Sequence, residues 1–180
     1  LCLHDALPVC AKLNFFVDVL EEFSYPNEIR QVLRDIDNRG HNIQLHSHPE
    51  YVPSQTWDDW QNESGWQELG AEKMIFSGCW NEGTAEFILG KMIDVLSDEG
   101  IEKPIAYRGG GLRFNAETLN VMTTLGIYYS YNYNPPSSHQ LFDVGKQPIF
   151  QWLNGVNEIP ISYMPSDDGG IDVSKRFDES

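Results

Sequence analysis

The chain has 180 residues, of which 41% are hydrophobic, and its 27 acidic and 12 basic side chains give a formal net charge of −15. This length fits one domain, and the apolar content fits a packed core. The acidity argues against a nucleic-acid partner, because phosphate backbones would be repelled. No apolar run reaches the roughly 18 residues that a membrane-spanning helix needs. Residues 1–180 are therefore expected to form a single domain without a membrane span.

The two ends of the sequence indicate an incomplete domain. The chain starts at Leu1 without an initiator Met or a charged segment typical of signal peptides, and it stops in a polar stretch. We therefore expect a domain truncated at both ends. The compartment stays open, and the absence of a visible signal peptide favours a cytoplasmic location.

The first half of the chain predicts alternating strands and helices. The Phe- and Val-rich run Leu13–Leu20 is typical of a buried strand. A helix is predicted over Pro26–Gly40, because apolar residues recur at i, i+3, i+4 and i+7 and a glycine suits its end. A short strand is predicted at His41–His46. The polar, Trp-rich stretch from Pro53 to Cys79 predicts a long connection.

The second half of the chain continues this alternation. The predicted elements are a helix at Gly83–Gly100, a strand at Pro104–Gly111, a helix at Asn115–Gly126, and strands at Ile127–Asn132 and Asn157–Tyr163. Alternating strands and helices are the pattern of an α/β fold with a parallel sheet and right-handed crossovers. A closed barrel and an open doubly wound sheet give the same local pattern, so the alternation alone does not separate them.

The peptide "LHSHPEY" at residues 45–51 holds two of the five histidines, at the end of a predicted strand. Side chains alternate along an extended chain, so His46 and His48 can point the same way and share one metal ion. Pro49 suits the start of a helix, which would bring Glu50 round to join or replace His48 as a ligand. In the alternative interpretation, one histidine caps a helix and the other packs on the surface.

A second candidate site is "AYRGGGLRFN", residues 106–115, again at the end of a predicted strand. The guanidinium of Arg108 is costly to bury there unless it meets a carboxylate or another anion. Gly109 and Gly110 would let the backbone approach a substrate closely. The alternative is a structural glycine turn with Arg108 in an ion pair. The run lacks the lysine and spacing of a phosphate-binding loop.

Aromatic side chains cluster in and beside the region after the histidines. Exposed rings next to a polar cleft suit the apolar faces of sugars, so Tyr51 and Trp80 are candidate substrate-binding residues. The alternative is that the tryptophans anchor a long loop to the scaffold. The tryptophans concerned are Trp57, Trp60, Trp66 and Trp80.

Several of these stretches together resemble the polysaccharide deacetylase family, whose catalytic unit is the NodB-homology domain. "NRGHNIQLHSHPEY" resembles the family's histidine motif, and "KPIAYRGGGLRFNAETLNVMTTLGIYY" resembles the motif in which an arginine precedes a turn. "AKLNFFVDVL" and "NEIPISYMP" resemble an early and a late strand. The resemblance covers most of Ala11–Pro165.

This resemblance implies a distorted (β/α) barrel of about seven parallel strands. It also implies one divalent metal, most often zinc, held by Asp-His-His, and the removal of acetyl groups from N- or O-acetylated sugars or polysaccharides. On the family pattern His46 is the first histidine ligand, and His48 or Glu50 is the second. Arg108 matches the arginine that holds the catalytic carboxylate.

The sequence departs from the family at two motifs. The adjacent Asp pair that supplies the base and one ligand is expected well upstream of Asn14, where Asp5 is too close and in the wrong context. The late histidine that acts as an acid has only His139 as a poor counterpart. Base and acid are therefore expected outside these residues, and the activity of the 180 residues alone is doubtful.

Two other functions remain open on the sequence. One is a noncatalytic carbohydrate-binding domain that keeps the barrel, which the absence of an upstream Asp pair would favour. The other is a different metal-dependent carbohydrate hydrolase, which would need a pair of carboxylates at the strand ends.

Overall fold

The computed structural model describes residues 11–64, 79–133, 149–160, 164–165 and 171–172. Four helices are described: α1 (Pro26–Asn38), α2 (Ser54–Ser64), α3 (Glu82–Asp98) and α4 (Ala116–Thr124). The strands are β1 (Asn14–Asp18), β2 (Asn42–Ser47), β3 (Ala106–Gly109), β4 (Tyr129–Ser130), β5 (Phe150–Gln151), β6 (Asn157–Glu158), β7 (Met164–Pro165) and β8 (Ile171–Asp172).

The first six strands form one sheet in the order β1-β2-β3-β4-β6-β5. All neighbours from β1 to β6 are parallel, and β5 pairs antiparallel with β6. The predicted α/β class is therefore confirmed. The predicted barrel of seven parallel strands is not confirmed, because within the described residues the sheet has six strands and does not close. Strands β7 and β8 form a separate antiparallel pair.

The sheet is strongly curved. The rings of Phe16 on β1 and Tyr131, just after β4, have centroids 4.9 Å apart although β2 and β3 lie between their strands. In a flat sheet, three strand spacings would separate β1 from β4 by roughly 14 Å. The face that carries Phe16 is therefore concave, and a cavity of about 230 Å³ lies against it, lined in part by Phe16, Gln44 and Tyr131.

The core packs on the opposite, convex face. Helix α3 begins at the N-cap Asn81, whose side chain accepts a hydrogen bond from the Thr84 backbone N–H. One helix face is fully buried because its apolar residues recur at helical spacing; it comprises Ala85, Ile88, Leu89, Met92 and Leu96. Among the described residues, no helix is both long and apolar enough to cross a membrane.

Two segments differ from the sequence prediction. The strand predicted to reach Leu20 ends at Asp18, whose side chain accepts a hydrogen bond from the Leu20 backbone N–H and starts a 3-10 helix over Val19–Phe23. The predicted long connection after Pro53 contains helix α2. Its Trp57 and Trp60 are three residues apart and both buried, at 2% and 5% exposure, so they anchor this segment to the core.

Candidate functional site

The carboxyl ends of three neighbouring strands bring a carboxylate, an imidazole and a guanidinium into one row. Asp18 on β1 is in register with His46 on β2, and His46 is in register with Arg108 on β3. Paired residues of neighbouring parallel strands project from the same face of a sheet. This face is the concave one, because Asp18 lies two positions after Phe16. In parallel α/β sheets this edge is where binding and catalytic groups gather.

Asp18 is a partly desolvated carboxylate with one unoccupied oxygen. Its Oδ1 accepts a hydrogen bond from the Leu20 backbone N–H at 3.2 Å. Its Oδ2 is buried and has no hydrogen-bond partner among the described residues. Burial raises the pKa of Asp18 to about 6. The backbone N–H of His48 and the charge of the His48 side chain both oppose this rise. Such a group is suited to accept a proton near neutral pH.

His46 is held in a defined tautomer by the backbone of the next strand. Its Nδ1 lies 2.7 Å from the carbonyl oxygen of Arg108. A carbonyl oxygen can only accept, so Nδ1 carries the proton and Nε2 keeps its lone pair. Burial lowers the pKa of His46, which favours the neutral ring. The structure therefore presents Nε2 of a neutral imidazole at the strand end.

His48 is oriented by a carboxylate close in sequence. Its Nδ1 lies 2.8 Å from Oε1 of Glu50, which is in a short 3-10 helix over Pro49–Tyr51. The rings of His46 and His48 are nearly perpendicular, with centroids 4.7 Å apart. Within the described part of the chain, no hydrogen bond occupies Nε2 of either ring. The two predicted histidines are thus brought together, and Glu50 contacts His48 instead of taking its place.

Arg108 lies in the row without a carboxylate partner. Its side chain is exposed, and within the described residues its guanidinium makes no hydrogen bond or ion pair. Its positive charge is one of the smaller influences that lower the pKa of His46. The expected contact between this arginine and a catalytic carboxylate is absent from the described structure, because His46 stands between Arg108 and Asp18 in the register.

The glycines beside Arg108 approach protein atoms. A Cβ at Gly109 would lie 2.2 Å from the carbonyl oxygen of Arg113. A Cβ at Gly110 would lie 2.4 Å from the carbonyl oxygen of Ser47 and 3.0 Å from Nδ1 of His48. Both glycines were predicted to contact substrate. In the structure their missing side chains let the turn pack closely against the strand that carries the histidines. Their contact with substrate stays a prediction.

The two predicted aromatic contacts have different outcomes. Trp80 is 0% exposed and belongs to the core, so in this structure its ring is not at the surface beside the histidines. Tyr51 is 52% exposed, and its ring centroid is 5.5 Å from that of His48. Tyr51 therefore offers an accessible ring beside the histidines. Trp66, Asp5 and His139 lie outside the described residues.

A buried hydrogen-bond network supports the glycine turn from behind. The Gly109 backbone N–H donates to Oδ1 of Asn132 at 2.6 Å. Glu158, which is 0% exposed, accepts from the backbone N–H groups of Asn132 and Tyr133 at 2.8 and 2.9 Å. The indole N–H of Trp152 donates to Oε2 of Glu158 at 3.0 Å. Three donors thus compensate the burial of this carboxylate and connect β3, β4 and β6.

Asp18 and Glu158 are two polar residues at or behind the site that the sequence patterns did not point to. A signal for Asp18 existed in "NFFVDVL", where a charged residue interrupts an apolar run. A carboxylate inside a buried strand is costly, so its position marks the strand end. The apolar Val19 and Leu20 after it extended the predicted strand and hid this end.

The donor set of the site partly fits a divalent metal. Two neutral imidazoles and a carboxylate are ligands that zinc commonly takes. However, among the described residues no group of three or more His, Cys, Asp or Glu side chains is placed so that it could hold a metal ion. The histidine pair provides two donors with free Nε2 atoms, and a third donor is not in place. The two imidazoles are therefore suitable zinc ligands, and the remaining ligands of a zinc ion are not in place among the described residues.

Comparison with known proteins supports the fold. No protein-family model matches the chain, and no curated protein matches it. Among solved structures, the chain is similar to the crystal structure of a putative polysaccharide deacetylase from Mycobacterium smegmatis, with a TM-score of 0.52 and 19% sequence identity. The match covers 83% of this chain and 40% of that protein, so the chain spans less than half of its neighbour's length.

Proposed function

We propose that the protein is a hydrolase that removes acetyl groups from N- or O-acetylated sugars or polysaccharides. The observation that carries this proposal is the row of Asp18, His46 and Arg108 at the carboxyl ends of three parallel strands, with His48 against His46. The fold is shared with a protein named as a putative polysaccharide deacetylase. That name adds support for the acetylated-carbohydrate class without establishing it.

In this proposal Asp18 is the general base. The carboxylate of Asp18, whose Oδ1 accepts from the Leu20 N–H, takes a proton from the attacking water. The water oxygen then attacks the acetyl carbon, and the bond from this carbon to the sugar nitrogen or oxygen breaks. The protonated carboxyl of Asp18 can return its proton to the departing group, which yields acetate and the free sugar amine or hydroxyl.

His46 and His48 would hold a divalent metal, for which zinc is the proposed ion, through their Nε2 atoms. When bound, the metal would supply a Lewis acid that polarises the acetyl carbonyl. The contacts of Nδ1 with the Arg108 carbonyl and with Glu50 leave the Nε2 atom of both rings available as a ligand. Arg108, whose guanidinium is exposed, would attract the developing negative charge. Tyr51 would stack on the sugar ring.

The experiment that tests this function measures acetate release from an oligomer of N-acetylglucosamine and from an O-acetylated sugar. The protein would be assayed with added Zn²⁺ and with a chelator. We expect chelator-sensitive acetate release that Asp18→Asn abolishes. Oligomer binding without any acetate release, unchanged in Asp18→Asn, would instead identify a noncatalytic carbohydrate-binding domain and refute the hydrolase.

A further inference from the structure

The sequence predicted Glu50 as an alternative metal ligand. In the structure its carboxylate contacts the ring of His48. Its Oε1 is 2.8 Å from Nδ1 of His48, and its side chain is 40% exposed. A carboxylate that engages a histidine nitrogen in this way fixes the ring's tautomer and orientation. We infer that Glu50 is a positioning residue that holds His48 with Nε2 directed away from Glu50. This inference rests on the proposed function.

The surroundings of His48 explain why it needs such a partner. His46 is fixed by a backbone carbonyl of the neighbouring strand, whereas His48 lies one residue beyond the end of β2. Its own backbone has left the extended conformation and leads into the 3-10 helix. No backbone carbonyl accepts from its ring within the described structure. The carboxylate of Glu50 therefore does for His48 what the Arg108 carbonyl does for His46: it engages Nδ1 and orients the ring.

The 3-10 helix itself places Glu50 on this nitrogen. Pro49 begins the helix, and the backbone N–H of Tyr51 bonds the carbonyl oxygen of His48 at 3.0 Å. This tight turn brings residue 50 back towards the side chain two positions earlier. On the other side, Gly110 leaves just enough space for the ring, because a Cβ there would lie 3.0 Å from Nδ1. The ring is thus confined between a turn and a glycine.

The contact between Glu50 and His48 contributes little to folding, which makes the inference testable. Exposed contacts of this kind contribute little to stability, because water screens them. Substitution of Glu50 should therefore leave the fold intact and change only the state of His48. Glu63 provides a matched control, because it is an exposed glutamate in an ion pair with Lys91, at 2.9 Å, away from the site.

The first readout is the tautomer of each histidine in the metal-free protein, measured by ¹H–¹⁵N NMR at a pH where both rings are neutral. We expect the Nδ1–H tautomer at His46 and His48 in the unaltered protein. Glu50→Ala should shift His48 towards the Nε2–H tautomer and leave His46 unchanged. Glu50→Gln, which keeps an acceptor oxygen, should retain most of the original state. An unchanged His48 tautomer in Glu50→Ala would overturn the inference.

The second readout is the affinity for Zn²⁺. Loss of such an outer carboxylate typically weakens metal binding about 10- to 100-fold. We expect this loss in Glu50→Ala, a smaller one in Glu50→Gln, and none in Glu63→Gln. If Glu50→Ala loses as much affinity as His48→Ala and alters the visible spectrum of the Co²⁺-loaded protein as strongly, Glu50 is a ligand and the inference is wrong.

The two experiments separate the inference from the proposed function. If the tautomer of His48 responds to Glu50 as expected but no acetate is released, the positioning role stands and the deacetylase proposal fails. If acetate is released but the tautomer and the Zn²⁺ affinity ignore Glu50, the function stands and the positioning role fails.

Discussion

The imidazole of His46 donates its Nδ1–H to the carbonyl oxygen of Arg108, 2.7 Å away and 62 positions further along the chain. This bond joins β2 to β3 through a side chain, in addition to the backbone ladder. It also leaves Nε2 as the nitrogen of His46 that is available to a ligand. One contact therefore links the two strands and sets the orientation of the imidazole.

The first prediction concerns His46 as a metal ligand. His46→Ala should lose bound zinc and acetate release together, because one of only two placed imidazole donors is gone. Metal content per chain by mass spectrometry is the measurement. His41→Ala is the matched control, since His41 lies before β2 and packs against Phe15. Retention of one zinc per chain in His46→Ala would remove His46 from the metal site.

The second prediction distinguishes a base from a ligand at position 18. Asp18→Asn should keep its metal content while acetate release falls about 100- to 10,000-fold, the usual contribution of general acid–base catalysis. The comparison is between zinc content and turnover in the same preparation. A parallel loss of zinc and activity would instead make Asp18 the third ligand and leave the base unassigned.

The third prediction follows from the raised pKa of Asp18. A pKa of about 6 in the folded chain exceeds the ordinary value of 3.8, so ionisation of Asp18 destabilises the fold increasingly above pH 3.8 and fully above about pH 6. Each pKa unit corresponds to about 1.4 kcal/mol, so metal-free Asp18→Asn should be more stable than the unaltered protein by about 2–3 kcal/mol at pH 7.5.

This gain should shrink as the pH falls from 6 towards 3.8, because Asp18 then becomes protonated in the folded state, and it should vanish below 3.8. Urea unfolding of the chelator-treated proteins across this range is the measurement. A stability difference that does not change with pH would show that folding does not raise the pKa of Asp18.

The fourth prediction tests the close approach of the glycine turn to His48. Gly110→Ala would place a Cβ 2.4 Å from the Ser47 carbonyl oxygen, so the backbone at residue 110 or at residue 47 must shift. We expect a loss of about 1–3 kcal/mol in unfolding free energy together with weaker Zn²⁺ binding. Gly90→Ala is the matched control, because its Cβ would meet nothing within 4 Å and it lies inside α3. This control should gain about 0.5–1 kcal/mol.

The fifth prediction concerns the buried carboxylate behind the turn. Glu158→Gln replaces one acceptor oxygen by an NH₂ group that would face an N–H donor. We expect a loss of about 2 kcal/mol or more in unfolding free energy, measured by urea denaturation. Glu102→Gln, at an exposed position, should change stability little. Equal stability of the two variants would mean that the three hydrogen bonds to Glu158 contribute nothing net.

Hydrophobic periodicity predicted much of the fold. Helices α1, α3 and α4 and strands β1 to β4 lie where apolar spacing and glycine positions indicated them. Helix α2 was not predicted, because only Trp57 and Trp60 mark its buried face among polar neighbours. The curvature of the sheet could not be predicted either, since it depends on contacts such as Phe16 with Tyr131, which are remote in sequence.

The site was predicted only in part. The histidine pair was expected at one strand end and is found there, because alternation along a strand is a local property. The contact of Glu50 depends on a 3-10 helix that a single Pro49 does not specify. Burial of Trp80 depends on tertiary packing, and exposure cannot be inferred from composition alone. Asp18, the base in our proposal, lies on β1 itself and not upstream of Asn14, where the family pattern places the Asp pair.

The register of the three strands also bears on how the protein folds. Asp18 pairs with a residue 28 positions away, and His46 pairs with one 62 positions away. Contacts between such distant segments close large loops and are typical of slow steps in folding. We therefore expect a nascent chain to form its core helix early and to assemble its row of polar groups only when β3 joins β2.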